Sequence, residues 1–219
     1  MAAHLPSSFR LPACIALGAA TLCLSCSKPS PGVTELQTSR EAVRAAKSWQ
    51  SGVTVQLPSG QRHIVLIEKV ECPRRDDRTT ISYDAQPGST HEVWFDGGYY
   101  RKEISGAWSS ADVKLPANCG RGPSLAWDGI LYDDLDAAAS GGEVRAGKPE
   151  QLAEANATPC TWWEVAPAKG AEAHYSVCVS EADHLPRIVR SHEHNLVYVY
   201  TLTDWNATSV TLPTDIVAP

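Results

Sequence analysis

Residues 159–165 read Pro-Cys-Thr-Trp-Trp-Glu-Val, and residues 173–180 read Ala-His-Tyr-Ser-Val-Cys-Val-Ser. Both runs are rich in β-branched and aromatic side chains, and Pro167 and Gly170 lie between them, which predicts a β-hairpin. With Cys160 opposite Cys178, the register sets Trp162 against Ser176 and Glu164 against His174. The other face then pairs Thr161 with Val177 and Trp163 with Tyr175. Strand side chains alternate between faces, so a one-residue slip would mix the two sets. One face therefore collects aromatic and β-branched groups, and the other a disulfide and an acid–imidazole pair. The hairpin runs on through Leu185-Pro186-Arg187 into further strands.

The start of the chain reads as an export signal. Arg10 precedes an apolar stretch, Leu11 to Leu24, that is too short to span a bilayer as a mature helix. It closes with Leu22-Cys-Leu-Ser-Cys26, which resembles the bacterial lipobox with Cys23 where Leu is usual. The resemblance implies cleavage before Cys26 and a lipid on its sulfur. An ordinary cleaved signal or an uncleaved anchor are the alternatives. Ser27, directly after Cys26, points by analogy to the outer membrane. The expected organisation is a signal peptide over residues 1–25, a tether over 26–37 and a single domain over 38–219.

Four cysteines follow: Cys72, Cys119, Cys160 and Cys178. An even set in an exported chain favours disulfides. The hairpin selects 160 with 178, which leaves 72 with 119. A four-cysteine zinc site is the rival reading, but no two of the four have the close spacing that brings ligands together. The formal charge of −6 becomes one unit more negative once the signal, with Arg10 and no acid, is removed. That balance disfavours nucleic acid as a partner. The remaining length suits one sizeable core.

Thr38-Ser-Arg-Glu41 is a capping-box pattern, and Ala42, Val43, Ala46 and Trp49 follow at helical spacing. The period then changes to two, and strands are expected over Val53–Leu57, Arg62–Val70, Thr79–Tyr83, His91–Phe95 and Tyr99–Ile104. Arg74 to Arg78 reads as a solvated turn. Gly97-Gly98 supplies the turn of a second hairpin, and a three-residue loop that sets Glu92 against Lys102 and stacks Trp94 with Tyr100 is preferred. Trp127, Ile130, Leu131, Leu135 and Ala138 predict a second helix that closes at Gly141-Gly142. The final strand, Leu196–Thr203, is apolar or Thr on both faces, and Thr208–Leu212 adds a short last strand. Short connections imply an antiparallel sheet. The fold class is α+β: a curled antiparallel sheet with an N-terminal helix and an inserted helix covering one face.

No nucleophile elbow, zinc-hydrolase motif, P-loop or dinucleotide fingerprint is present. His192 and His194 would share one face of a strand as a metal pair, but they fall in a turn and no third ligand is near in sequence. Asp133, Asp134 and Asp136 read as the wet side of the second helix. Glu164 and His174 read as a cross-strand surface pair. Asn156-Ala-Thr and Asn206-Ala-Thr match the glycosylation sequon by accident. No metal and no cofactor is implied, and neither is an enzymatic activity.

An exported chain with an N-terminal helix, long antiparallel strands, a helical insertion, and a late hairpin running into Leu185-Pro186-Arg187 resembles a known superfamily. So does the Tyr-rich strand ending Thr203-Asp204-Trp205-Asn206, ahead of Thr211-Leu-Pro213. The order of elements over residues 36–215 is similar to that of the bacterial lipoprotein carriers, the Lol-type carriers and the mycobacterial lipid-binding lipoproteins. The resemblance implies a half-barrel closed by helices over an apolar cavity that binds a lipid, an acyl chain or a lipoprotein without catalysis. Cavity lining is expected from Trp94, Tyr100, Trp127, Leu131, Trp163, Tyr175, Tyr198 and Tyr200. The expected location is the cell envelope, facing the periplasm, with the membrane reached through the lipid on Cys26. The alternative is an interaction or structural lipoprotein on the same fold with no small-molecule ligand, marked by an exposed apolar patch around Trp162.

Overall fold

The structure is a computed structural model that describes residues 29–73, 75–81, 88–103, 106–111, 119, 121–124, 131–147, 159–166 and 173–216. The signal segment, Cys26, Trp127, Ile130 and Asn156 lie outside the described residues. Two helices and eleven strands are described: α1 (Pro31–Ala45), β1 (Ser48–Gln56), β2 (Arg62–Glu71), β3 (Arg75–Ile81), β4 (Ser89–Phe95), β5 (Gly98–Glu103) and β6 (Ser109–Ala111). They continue with α2 (Leu131–Gly141), β7 (Glu143–Ala146), β8 (Cys160–Ala166), β9 (Ala173–Ser180), β10 (Pro186–Glu193) and β11 (Leu196–Thr203). All strands join one open antiparallel sheet in the order β6-β5-β4-β3-β2-β1-β11-β10-β9-β8-β7. Two meanders, β1–β6 and β7–β11, thus meet where the first strand pairs with the last. This is the α+β half-barrel.

Helix α1 begins earlier than its capping-box pattern predicts. Ser30 is the N-cap, its Oγ accepting from the Val33 N–H at 3.4 Å, and Pro31 sits where a missing N–H does no harm. Residues 31–37, expected as tether, are helical, and Thr38 lies mid-helix with its Oγ1 donating to the Thr34 carbonyl. Leu36, Ser39 and Val43 form the buried stripe, while Trp49 has already passed into β1. At Gly32 the helix touches the sheet so closely that a Cβ would fall 2.5 Å from Val144 Cγ1 and 2.8 Å from Trp163.

The late hairpin forms, and its register is two residues from the expected one. Trp162 faces Cys178, Trp163 faces Val177, Glu164 faces Ser176 and Val165 faces Tyr175. The Cys160–Cys178 disulfide forms across the diagonal, with Cα atoms 5.5 Å apart, inside the range a bridge tolerates. A slip of two leaves every side chain on its expected face, so the sorting into faces is retained. Polar contacts fix the observed register: Ser176 Oγ donates to Glu164 Oε2 at 3.0 Å, and Thr161 Oγ1 donates to Glu181 Oε1 at 2.8 Å.

In the β4–β5 hairpin the difference is one residue and has larger consequences. Asp96 and Gly97, at φ 48 and 97, form the two-residue turn, since positive φ at both centres matches strand twist. Trp94 then faces Tyr99 and Glu92 faces Arg101, so Tyr100 turns to the opposite face from Trp94. Cys72–Cys119 is bonded as expected. The expected strand over Thr208–Leu212 is replaced by irregular chain, held where Val210 N–H donates to Glu71 Oε2 at 2.9 Å. Asn206 is structural: its Oδ1 accepts from the Lys47 N–H at 2.8 Å.

Replacing Cys160 and Cys178 together by Ser should lower stability by about 3 kcal/mol, the loop-closure entropy expected for a short loop. Urea unfolding of the oxidised protein and the double variant measures this; equal midpoints would refute it.

Candidate functional site

The face of the sheet packed by α1 and α2 is the inner face, and it divides in two near β1. Its first half is apolar. Cross-strand neighbours form the rows Val165–Tyr175–Ser191–Tyr198–Val55 and Trp163–Val177–Val189–Tyr200–Val53. Leu36 and Val43 of α1, with Leu131, Tyr132 and Leu135 of α2, pack into the same cluster. Burying such a side chain is worth about 1.5–3 kcal/mol over leaving it exposed. The helices are clamped together by a hydrogen bond between the Ser39 and Tyr132 hydroxyls and by Arg40, which pairs with both Asp133 and Asp136. Asp133 also takes Arg121 at 2.8 Å. Asp133 and Asp136, expected to be merely wet, therefore dock one helix on the other.

A polar group closes the end of this wall. Ser191 Oγ donates to Glu193 Oε1 at 2.8 Å. Asp134 of α2 faces the same end, and its carboxyl is raised by burial and then by the charges of Glu193 and Asp133. Burial also raises the Tyr175 and Tyr200 hydroxyls, with Asp134 and Glu193 adding to the effect, so both remain neutral donors.

The second half of the inner face is charged, which the sequence reading missed. The rows are Ser51–Glu68–Arg78–Glu92–Arg101 and Trp49–Val70–Asp76–Trp94–Tyr99. Arg78 donates to Glu68 Oε1 through Nη2 at 2.8 Å and Nε at 3.2 Å, and Ser51 Oγ donates to Glu68 Oε2 at 3.2 Å. Arg78 Nη2 lies 3.5 Å from Asp76 Oδ2, and the guanidinium covers the Trp94 ring at 5.6 Å. Glu68, Asp76 and Arg78 are all buried. Burial, and then the Glu68 charge, push the Asp76 carboxyl well above the usual carboxylate range. Tyr99 donates to Glu92 at 2.6 Å, and burial followed by that bond raises its hydroxyl to about 12. The run ending at Arg78 is thus strand β3 with an inward charged side, not a solvated turn. Its one sequence signal is Glu68 interrupting the apolar run of β2, opposite Arg78 once the turn at Cys72-Pro73 is placed.

Of the residues expected to line a cavity, Trp94, Leu131, Trp163, Tyr175, Tyr198 and Tyr200 lie on the inner side, Tyr100 on the outer. Trp162 is buried on the outer face with Cys178, Ile188 and Val199, so among the described residues no exposed patch surrounds it. Glu164 and His174 do not pair; the His174 ring stacks on His192, centroids 4.2 Å apart and planes 7° from parallel. His194 sits in the β10–β11 turn at φ 53. Among the described residues, no group of three or more His, Cys, Asp or Glu could hold a metal ion. Nor is any described helix long and apolar enough to cross a membrane. An outer-face pocket of about 220 Å³, lined by Thr79, Ser89, His91, Lys102 and Glu103, is polar; His91 Nε2 lies 2.6 Å from Asp77 and Lys102 Nζ 2.9 Å from Asp215.

The fold is similar to that of two solved mycobacterial structures. The chain matches LprF from Mycobacterium bovis with a TM-score of 0.58 at 15% identity, over 85% of this chain and 98% of LprF. It matches the Mycobacterium tuberculosis lipoprotein LppX with a TM-score of 0.52 at 13% identity, over 83% of this chain and 97% of LppX. No family model and no curated protein matches the sequence.

Asp76 sets a pH test. Its folded carboxyl holds the proton to higher pH than the unfolded one, so wild-type stability should fall as pH rises from the ordinary Asp range through the raised value. Asp76→Asn should remove that fall. Urea unfolding across pH measures it, and parallel curves for the two proteins would refute it.

Proposed function

We propose that the protein is an exported, lipid-anchored binding protein of the cell envelope that holds a lipid or acyl chain against the inner face of its half-barrel, without catalysis. The observation that carries this reading is the apolar wall of Trp163, Tyr175, Val177, Val189, Tyr198 and Tyr200, set beneath two helices. Ligand pockets are mostly apolar, with a few placed polar groups. Here Ser191, Glu193 and Asp134 supply such groups at one end. The outer side of β11 needs no ligand to cover it, since Val197 and Val199 pack with Trp162, Ile188 and the Cys160–Cys178 bridge. The lipoproteins that share the fold support the reading, as does the lipobox-like sequence before Cys26. In this reading the lipid on Cys26 reaches the outer membrane, and the domain faces the periplasm.

Ile64 and Ile67 favour the second reading, a lipoprotein that docks another envelope component and binds no small ligand. They are 51% and 39% exposed on β2. One measurement separates the two. Native mass spectrometry of the protein purified from its own membranes should show a mass increment that fragments to a lipid. A single ligand-free mass would favour the docking reading and overturn the first. Separately, Cys26→Ser should move the protein from the membrane to the soluble fraction; unchanged fractionation would refute the anchor.

A further inference from the structure

The outer face carries a pocket of about 220 Å³ that a lipid on the inner face does not use. Thr79, Ser89, His91, Lys102 and Glu103 line it. Three of them stand in one cross-strand row, Ile67–Thr79–His91–Lys102, and Ser89 lies two residues before His91 on the same face of β4. Neighbouring contacts hold the row in place. His91 Nε2 lies 2.6 Å from Asp77 Oδ1, and Lys102 Nζ lies 2.9 Å from Asp215 Oδ2. The Trp108 ring packs beside both, its centroid 4.9 Å from the imidazole and 5.6 Å from the ammonium. Pockets for drug-sized ligands begin at about 300 Å³. This one is smaller and suits a single small ring.

Charge does not select the ligand. Among the described residues around the pocket, Lys69, Arg101 and Lys102 balance Asp77, Glu103 and Asp215. Lys102 is paired with Asp215, and Glu103 with Arg101 at 2.8 Å. An anion would have to displace Asp215 from Lys102, and a cation would have to displace Arg101 from Glu103.

Hydrogen bonding does select it. Among the described residues, the Thr79 and Ser89 hydroxyls have no protein partner, and each can both donate and accept. Against the Asp77 carboxylate the His91 proton sits on Nε2, which leaves Nδ1 of the neutral ring to accept. Lys102 has three N–H donors, of which Asp215 takes one. Ile67, 39% exposed beside Thr79, and the half-buried Trp108 add apolar surface to this polar set. Hydroxyls that donate and accept, on a small uncharged ring with C–H faces, are what a sugar presents.

We propose that this outer-face pocket binds a neutral pyranose through Thr79, Ser89, His91 and Lys102. It lies on the opposite side of the sheet from the apolar wall, so it stands or falls independently of the lipid-binding reading.

Saturation-transfer NMR of the full-length protein tests it, with the methyl glycosides of glucose, mannose and galactose as probes. At least one should bind with a Kd of about 1 mM, in the range of a few hydrogen bonds made in competition with water. Thr79→Val keeps the side-chain shape, removes the hydroxyl and should weaken that sugar about five-fold. Ser89→Ala should do the same, and it carries the test if Thr79→Val does not fold. Sodium phosphate and sodium acetate should not compete. Absence of transfer to all three sugars would overturn the proposal. So would competition by either anion, which would make the pocket an anion site at Lys102. Binding that neither variant changes would place the sugar elsewhere and overturn it too.

Discussion

The pairing of β1 with β11 is the contact on which the rest depends. It runs from Gln50 opposite Thr203 to Gln56 opposite Val197, and joins strands from opposite ends of the domain. Without it the two meanders would be separate sheets, each with a bare edge. Closing so long a loop costs only slightly more entropy than closing one of half its length, because the cost grows with the logarithm of loop length. The return is large, because β11 is buried on both faces: Tyr198, Tyr200 and Leu202 on one side, Val199 on the other. The chain around this seam is pinned as well. Trp205 packs on Trp49 at 5.9 Å and donates to the Pro186 carbonyl, and Thr208 N–H donates to Ser48 Oγ at 3.1 Å.

The seam also decides what the inner face can hold. Val53 opposite Tyr200 belongs to the apolar wall; Ser51, opposite Leu202, opens the row that leads to Glu68 and Arg78. Both halves occupy one continuous surface only because the first and last strands pair in this register. A shift of one residue would send Tyr200 and Glu68 to opposite sides. An amphiphile needs an apolar and a polar region at fixed separation, and here backbone hydrogen bonds set that separation.

Much of this was legible in the residues. The two disulfides, the two helices and the sorting of the late hairpin's faces all follow from spacing and side-chain type. The hairpin register itself did not, because a bridge across the diagonal keeps the same alternation as a direct one. For Tyr100, loop length decided the face: a three-residue loop sets it beside Trp94, whereas the two-residue turn at Asp96-Gly97, where Asp tolerates positive φ, pairs Trp94 with Tyr99 and turns Tyr100 away. The charged rows were hidden for a different reason. Arg, Asp and Asp in succession read as surface, and nothing in a linear pattern shows that Glu68 lies opposite Arg78 until the two strands are paired.

Those charged rows also bear on why the inner face is not simply apolar. Removing an ion pair from water is often no better for stability than well-packed hydrophobic side chains of similar size. A fold selected for stability alone would continue the Val and Tyr wall across β2 and β3. Instead it buries Glu68, Asp76 and Arg78 together, with the orphaned atoms Trp49 Nε1, Asp76 Oδ1 and Trp94 Nε1 in the adjoining row. The outer ion pairs do not share this cost: Arg75 with Asp96 and Lys102 with Asp215 stay solvated and contribute little.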